Sequence, residues 1–152
     1  MAEYKDMYDL LISDHEMVKG MINETLQKRD ASRFKEIKTN LEIHMMGEER
    51  FFYPLLREQD KETMDKSYQE HHVGKVVLHE LKKMDKDDEH WIPKMKVLND
   101  ILNHHIEEEE KQIFPESRRL LSEEQQDKIF KRLKQAKSLM TKQPMAKILE
   151  VR

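Results

Sequence analysis

Apolar side chains recur every three or four residues over almost the whole of this chain, which is the spacing of an amphipathic helix. In the first such stretch, one helical face collects Met7, Leu10, Leu11, Met17, Val18, Met21 and Ile22. N-cap signals divide the pattern, at Asp30-Ala31-Ser32 and at Ser122, where Gln125 completes a capping box. The pattern predicts five helices, at about residues 4–28, 33–59, 60 or 63 to 84, 91–114 and 123–140.

The first four predicted helices are similar in length and are joined by short connections. Helices of this kind pack as an up-down-up-down four-helix bundle, so the chain is predicted to be all-α. The fifth is a short additional C-terminal helix. We therefore predict a bundle at residues 1–118, and a C-terminal helix and tail at 119–152 that pack on the bundle or extend from it.

Composition narrows the class of protein. Charged residues make up 39% of the 152 residues, with three Gly and four Pro, which suits long helices and excludes a turn-rich β-sandwich. No apolar run approaches the roughly 18 residues of a membrane span, and the N-terminus has no apolar signal core. We therefore expect a cytoplasmic protein with no membrane partner. The formal net charge of −3 gives no general attraction to nucleic acid.

The absence of cysteine limits the chemistry further. It excludes disulfides, Cys-ligated zinc and iron–sulfur clusters. Any metal site must therefore be built from histidine and carboxylate side chains.

One motif occurs twice in the chain. Residues 44–54 and 105–115 each begin with His, carry Glu-Glu four and five residues later, and end on Pro. An acid-His pair precedes each copy, Asp14-His15 in the first half and Glu70-His71 in the second. Each half therefore forms one helical hairpin, and the two hairpins build the bundle with approximate two-fold symmetry.

The repeat predicts a metal centre. Residues four apart share one face of a helix, so each motif points its His and first Glu together. If all four helices direct these residues inward, four imidazoles and two carboxylates converge, which suits a pair of iron or manganese ions. The candidate metal ligands are His15, His44, Glu48, His71, His105 and Glu109.

Two neighbouring histidines compete for places in this set. His72 is an alternative to His71, but the apolar face favours His71, since it is shared by Gly74, Leu78 and Leu81. His104 has Glu108 four residues later, yet the spacing to the repeated Pro favours His105.

The candidate residues resemble the hemerythrin-like family, also called HHE cation-binding domains. The resemblance covers about residues 4–118 and rests on the acid-His pairs, the two His-xxx-Glu-Glu motifs and the proline that follows each. It implies a four-helix bundle around a non-heme di-iron centre, oxo- or hydroxo-bridged, that binds, senses or reacts with O2, peroxide or NO. Manganese is the alternative metal. The four histidines would be terminal ligands, and Glu48 and Glu109 would bridge the ions.

The chain departs from the oxygen-carrying members at two positions. Those members have a fifth His four residues after the third-helix ligand, where this chain has Lys75, and an Asp at the position of Glu110. We prefer Glu109 as the ligand, because its spacing matches the first copy. The missing His favours sensing, redox, peroxide or NO chemistry, or iron handling, over simple O2 carriage.

Several readings stay open at this point. A weak oxidase or peroxidase activity is one, iron storage a second, and a metal-free helical module with an unidentified protein partner a third. Lys19 and Lys75 have two interpretations, either as solvated cations or as charges that stabilise a bound anion. Tyr53 reads as a packed aromatic.

Overall fold

The computed structural model of the 152-residue chain describes residues 3–139, which contain helices and no strand. The α-helices are α1 (Met7–Lys28), α2 (Phe34–Gly47), α3 (Tyr53–Arg57), α4 (Lys61–Lys83), α5 (Trp91–Glu108), α6 (Phe114–Leu120) and α7 (Glu123–Leu139). A π-helical turn joins α2 to α3 (the first π turn, Glu48–Phe52), and another joins α5 to α6 (the second π turn, Glu109–Ile113). The result is five continuous helical rods, and the predicted all-α fold is confirmed.

The first four rods form the bundle, and each rod runs antiparallel to its neighbours. Side-chain contacts show the register: Glu24 near the end of α1 lies against Arg33, the residue before α2, and Glu80 of α4 lies against Lys94 of α5. The predicted fourth helix ends at Phe114, but the rod continues to Leu120. It continues because Pro115 stands in the first turn of α6, where a missing N–H is tolerated.

Two apolar clusters fill the bundle, one on each side of its middle. The first contains the Phe34–Trp91 aromatic pair, and the second contains Tyr8 and Phe52. Each of the four bundle rods passes from one cluster to the other near its site histidine: on α1, for example, His15 lies between Leu11 and Val18. The polar side chains at the bundle centre are therefore enclosed by apolar packing.

Met17 corrects the predicted face of the first helix. Its side chain is 40% exposed, while Val18 and Met21 on the same helix are buried. The buried stripe of α1 is thus narrower than the apolar pattern suggested.

Helix α7 packs across α1 and α2 through a buried face of Ile129, Leu133 and Ala136. The packing is close at Gly47, where an added Cβ would lie 2.8 Å from Leu133 Cδ2. The fifth helix is therefore docked on the bundle up to Leu139, while the predicted tail, residues 140–152, lies outside the described residues. The boundary near residue 118 stays a prediction.

The predicted capping box opens α7. The Ser122 hydroxyl accepts from the Gln125 amide at 3.0 Å, and the Gln125 side chain accepts from the Ser122 amide at 2.9 Å. We expect Ser122→Ala to lower the free energy of unfolding by about 1 kcal/mol, because one amide of the first turn loses its partner. Urea unfolding measures this change. Ser138→Ala, in the last turn of α7, is the control and should change stability by less than about 0.5 kcal/mol. Equal effects of the two substitutions would contradict a specific role for the cap.

Candidate metal centre

The structure brings the six predicted ligand residues together at the middle of the bundle. All six are buried, with at most 8% of the surface of any one exposed. The competing histidines lie elsewhere: His72 is exposed, and the side chain of His104 is 67% exposed. Glu110 lies at the edge of the centre and not in it.

These residues form two groups of four ligand atoms, and both carboxylates belong to both groups. The first group is His15, His44, Glu48 and Glu109, and the second is Glu48, His71, His105 and Glu109. The Glu48 Oε1 atom lies 3.3 Å from His44 Nε2 and 3.2 Å from His71 Nε2, so it stands between the two halves of the bundle. Two imidazoles and two shared carboxylates per group match the arrangement expected for a pair of metal ions.

Both shared glutamates open a π turn. The Tyr53 amide donates to the Glu48 carbonyl, and the Phe114 amide donates to the Glu109 carbonyl, each five residues back. The proline that follows, Pro54 or Pro115, has no N–H to donate to the ladder. In the first half, the Tyr68 hydroxyl donates to the Glu49 carbonyl at 3.3 Å, which is the carbonyl five residues before Pro54. In both halves, the repeated proline thus follows a π turn, and that turn begins with the shared glutamate.

Every site histidine donates its Nδ1–H to a carboxylate on a neighbouring rod. The four pairs are His15 with Glu110 at 2.7 Å, His44 with Asp14 at 3.0 Å, His71 with Glu49 at 2.8 Å, and His105 with Glu70 at 2.7 Å. We call these four pairs the carboxylate ring, since together they link all four rods. Each bond fixes the orientation of one imidazole and leaves its Nε2 atom facing the centre.

The Tyr53 hydroxyl reaches the centre of the site. It donates to Glu109 Oε2 at 2.5 Å and lies 3.2 Å from the Nε2 atoms of both His71 and His105. Its counterpart in the second half of the repeat is Phe114, which has no polar atom. The site is therefore asymmetric despite the repeat.

Comparison with known proteins agrees with this geometry. The family model described as Hemerythrin HHE cation binding domain matches residues 6–117. The chain belongs to this hemerythrin family. The resemblance inferred from the motifs is thereby confirmed, and both the family and the two buried His/Glu groups indicate cation binding.

Two curated relatives extend the comparison. An uncharacterized hemerythrin-like protein of Schizosaccharomyces pombe is 31% identical over 128 residues, which cover 82% of this chain and 61% of that protein. A protein named DNA nickase, from a Nostoc species, is 28% identical over 141 residues, which cover 88% of this chain and 39% of that protein. The chain therefore spans less than two thirds of either relative's length. No solved structure gives a significant match.

Buried carboxylate oxygens in this hemerythrin domain are a further indication of cation binding. Among the residues that the structure describes, Glu48 Oε2 and Glu109 Oε1 are buried and have no hydrogen-bond partner. A buried carboxylate oxygen without a partner is costly, and coordination to a cation is one way to remove that cost. A third such oxygen, Glu108 Oε2, lies outside the centre, whereas the other two belong to the two shared residues.

The electrostatics point the same way. Burial lowers the pKa of His105, but Glu109 and Glu70 outweigh it and raise the pKa to about 10. Burial likewise opposes charge on His44, yet Glu48 and Asp14 hold its pKa well above the usual value. The Glu109 pKa lies well below its usual range, because His105 offsets the effect of burial. A cation would displace these imidazole protons, since metals bind neutral imidazole and ionised carboxylate.

A cavity of about 20 Å³ adjoins the four histidines. The apolar part of its wall includes Val18, Leu41, Ile101 and Leu102, and Gly74 also lines it. A space of this size holds about one water-sized molecule. The hemerythrin site therefore has room for a small molecule beside its ligand atoms.

Sequence reasoning missed the carboxylate ring and Tyr53. The acids before His15 and His71 were recognised as part of the repeat, but no role followed from the pattern. Their repetition in both halves was the available signal. Lys75, considered as an anion-stabilising charge, instead donates to Glu49 at 3.0 Å.

No helix of residues 3–139 is both long and apolar enough to cross a membrane.

Proposed function

We propose that this hemerythrin domain holds two iron ions and uses them to bind, sense or react with O2 or a related small molecule. His15 and His44 hold one ion, His71 and His105 the other, and Glu48 and Glu109 bridge them. The observation that carries the proposal is the sharing of two buried carboxylates, each with an unpartnered oxygen, between two groups of histidines.

The chain's own residues prepare the centre. The carboxylate ring fixes the tautomer of each histidine, and the two apolar clusters exclude water from both ends of the site. A pair of iron ions supplies one-electron redox chemistry and a place for O2 to bind. Burial and the nearby carboxylates of Glu109 and Glu48 raise the pKa of Tyr53 well above its usual value. Its hydroxyl therefore keeps a proton at neutral pH and can donate it within the site.

The cavity supports a small neutral ligand. Besides the four histidines and apolar side chains, the acidic residues Asp14 and Glu70 line it, which disfavours a large anion, and its volume of about 20 Å³ suits a small molecule such as a diatomic. We propose O2 or NO as the preferred ligand class, with peroxide as a product or second substrate. Weak oxidase or peroxidase activity would follow from the same site.

Metal content and an optical spectrum test the proposal. Protein loaded with Fe(II) without oxygen should hold about two iron ions per chain, one for each group of two histidines and two shared carboxylates. It should develop ferric charge-transfer absorption when air is admitted. Far more iron per chain would favour storage. A colourless, metal-free protein would favour the helical interaction module.

Metal removal should destabilise the folded chain. An ion at 100 times its dissociation constant adds about 2.7 kcal/mol of stability. For a chain of this size that corresponds to a melting temperature about 5–10 °C higher with iron than after chelation. Calorimetry of loaded and chelated protein measures the difference. A melting temperature that ignores chelation would contradict a structural metal centre.

We do not propose DNA cleavage from the likeness to the Nostoc DNA nickase. The six centre residues are buried in the bundle, where a phosphodiester of a duplex does not reach. The formal net charge of −3 also opposes binding to DNA. A supercoiled plasmid incubated with iron-loaded protein should therefore stay supercoiled.

A further inference from the structure

A groove with a volume of about 400 Å³ lies between the first π turn and α7. Its floor is apolar and includes Phe51, Leu55 and Ile129. Its rim carries three cations, Arg50, Lys128 and Arg132, and none of the described residues that line it is acidic. We call it the cationic groove.

The three cations have no acidic partner among residues 3–139. The repeat shows why this is unusual. Lys111, the counterpart of Arg50 in the second half, is paired with Glu107 four residues earlier at 2.9 Å. The position four residues before Arg50 is Met46, which packs against Ala136 under α7. At the position where the second half of the repeat has a countercharge, the first half therefore has an apolar residue that is buried under α7.

The other two cations repel each other. Lys128 and Arg132 are four residues apart on α7 and share a face of that helix, so each lies close to a like charge. Such a pair costs a helix a few tenths of a kcal/mol. Arg50 approaches the same face from the bundle. An anion bound between the three side chains would relieve this repulsion.

We propose that the cationic groove binds a small amphipathic anion, with a carboxylate or phosphate head and an apolar body. The head lies between Arg50, Lys128 and Arg132, because guanidinium groups match the two oxygens of such a head. The body lies on Phe51 and Leu55, which are half-buried and offer an apolar surface, with the buried Ile129 at the floor. The volume lies within the range of small-molecule pockets. This site is separate from the metal centre and does not depend on the proposed iron.

Calorimetric titration of the full chain with four probes tests the proposal. Octanoate and octyl phosphate, which carry both head and body, should bind at one site. Inorganic phosphate and octanol, which carry one part each, should bind at least about tenfold more weakly, since each lacks one contribution. Equal binding of inorganic phosphate would show a charged surface only, and equal binding of octanol would show an apolar surface only. Either result would overturn the proposal.

Variants on α7 locate the site. Arg132→Gln and Lys128→Gln should each weaken octanoate binding about tenfold, because each removes a charged contact to the head. Lys131→Gln removes the same charge from α7 outside the groove and should leave binding within about twofold. Melting temperatures of the ligand-free variants check folding. If Lys131→Gln weakens binding as much as the others, the groove is not the site.

A binding experiment with lipid vesicles distinguishes a free ligand from a membrane surface. Vesicles of phosphatidylcholine with phosphatidylglycerol present the same anionic head at a lipid surface. Binding to these vesicles without binding to octyl phosphate would overturn the proposal in favour of a membrane contact.

Discussion

We expect Glu48→Gln to abolish binding of both proposed iron ions, whereas His15→Ala should abolish binding of one. The difference follows from the sharing of ligands: Glu48 belongs to both groups of ligand atoms, and His15 to one. A neutral amide in place of Glu48 leaves each ion with one carboxylate fewer. We therefore expect iron content to fall from about two per chain to near zero for Glu48→Gln, and to about one for His15→Ala.

Elemental analysis after anaerobic loading measures both variants, with circular dichroism to check the fold. Glu108→Gln is the matched control. Glu108 is next to Glu109 in sequence, but its side chain lies outside the centre and pairs with Lys66 at 2.6 Å. It should keep both ions. One ion retained by Glu48→Gln would mean that Glu48 serves a single metal, and the bridging role would be wrong.

Gly74→Leu is expected to slow the reaction with O2 while leaving the metal in place. Gly74 is buried and lines the cavity beside the histidines, and an added Cβ would meet nothing within 4 Å. A leucine side chain would occupy that space and exclude a diatomic molecule from it. We expect the rate of oxygen-dependent colour development to fall about a hundredfold, which equals about 2.7 kcal/mol in the barrier.

Gly20→Leu is the control for this substitution. Gly20 is also inside a helix with nothing within 4 Å of an added Cβ, but it is exposed to solvent. Both substitutions gain the same helix propensity, so a difference between them reports the cavity. Stopped-flow absorbance measures the rates, and iron content confirms the loading. Equal rates in the two variants would show that O2 does not use this cavity. Should Gly74→Leu lose metal, Gly74→Ala gives a smaller obstruction to test.

The sequence predicted those features that depend on spacing along one helix. His44 and Glu48 are four residues apart, so their shared face follows from helix geometry alone. The helix ends marked by Asp60 and Ser122 could be predicted likewise, because a cap acts within one turn. The placing of all six candidates at one point also needed the repeat, which assigned equivalent positions to the two hairpins.

Features that depend on contacts between rods could not be predicted in this way. Tyr53 enters the centre because the first π turn changes the direction of the side chains that follow Glu48, and no spacing rule gave that turn. The pairing of Asp14 with His44 requires the relative rotation of two helices. Met17 is exposed for the same reason, since the neighbouring rods set which part of the apolar face of α1 is covered.

The carboxylate ring also bears on how the bundle unfolds. Each rod contributes one acid and one imidazole, and each rod is bonded to both of its neighbours: α1, for example, gives Asp14 to His44 and His15 to Glu110. Removing any rod breaks two of the four bonds at once. The backbone amides of the four rods should therefore exchange their hydrogens in one cooperative step, and not hairpin by hairpin. Helix α7 is bonded to the ring only from outside, through Lys137 and Asp14, so its amides should exchange first.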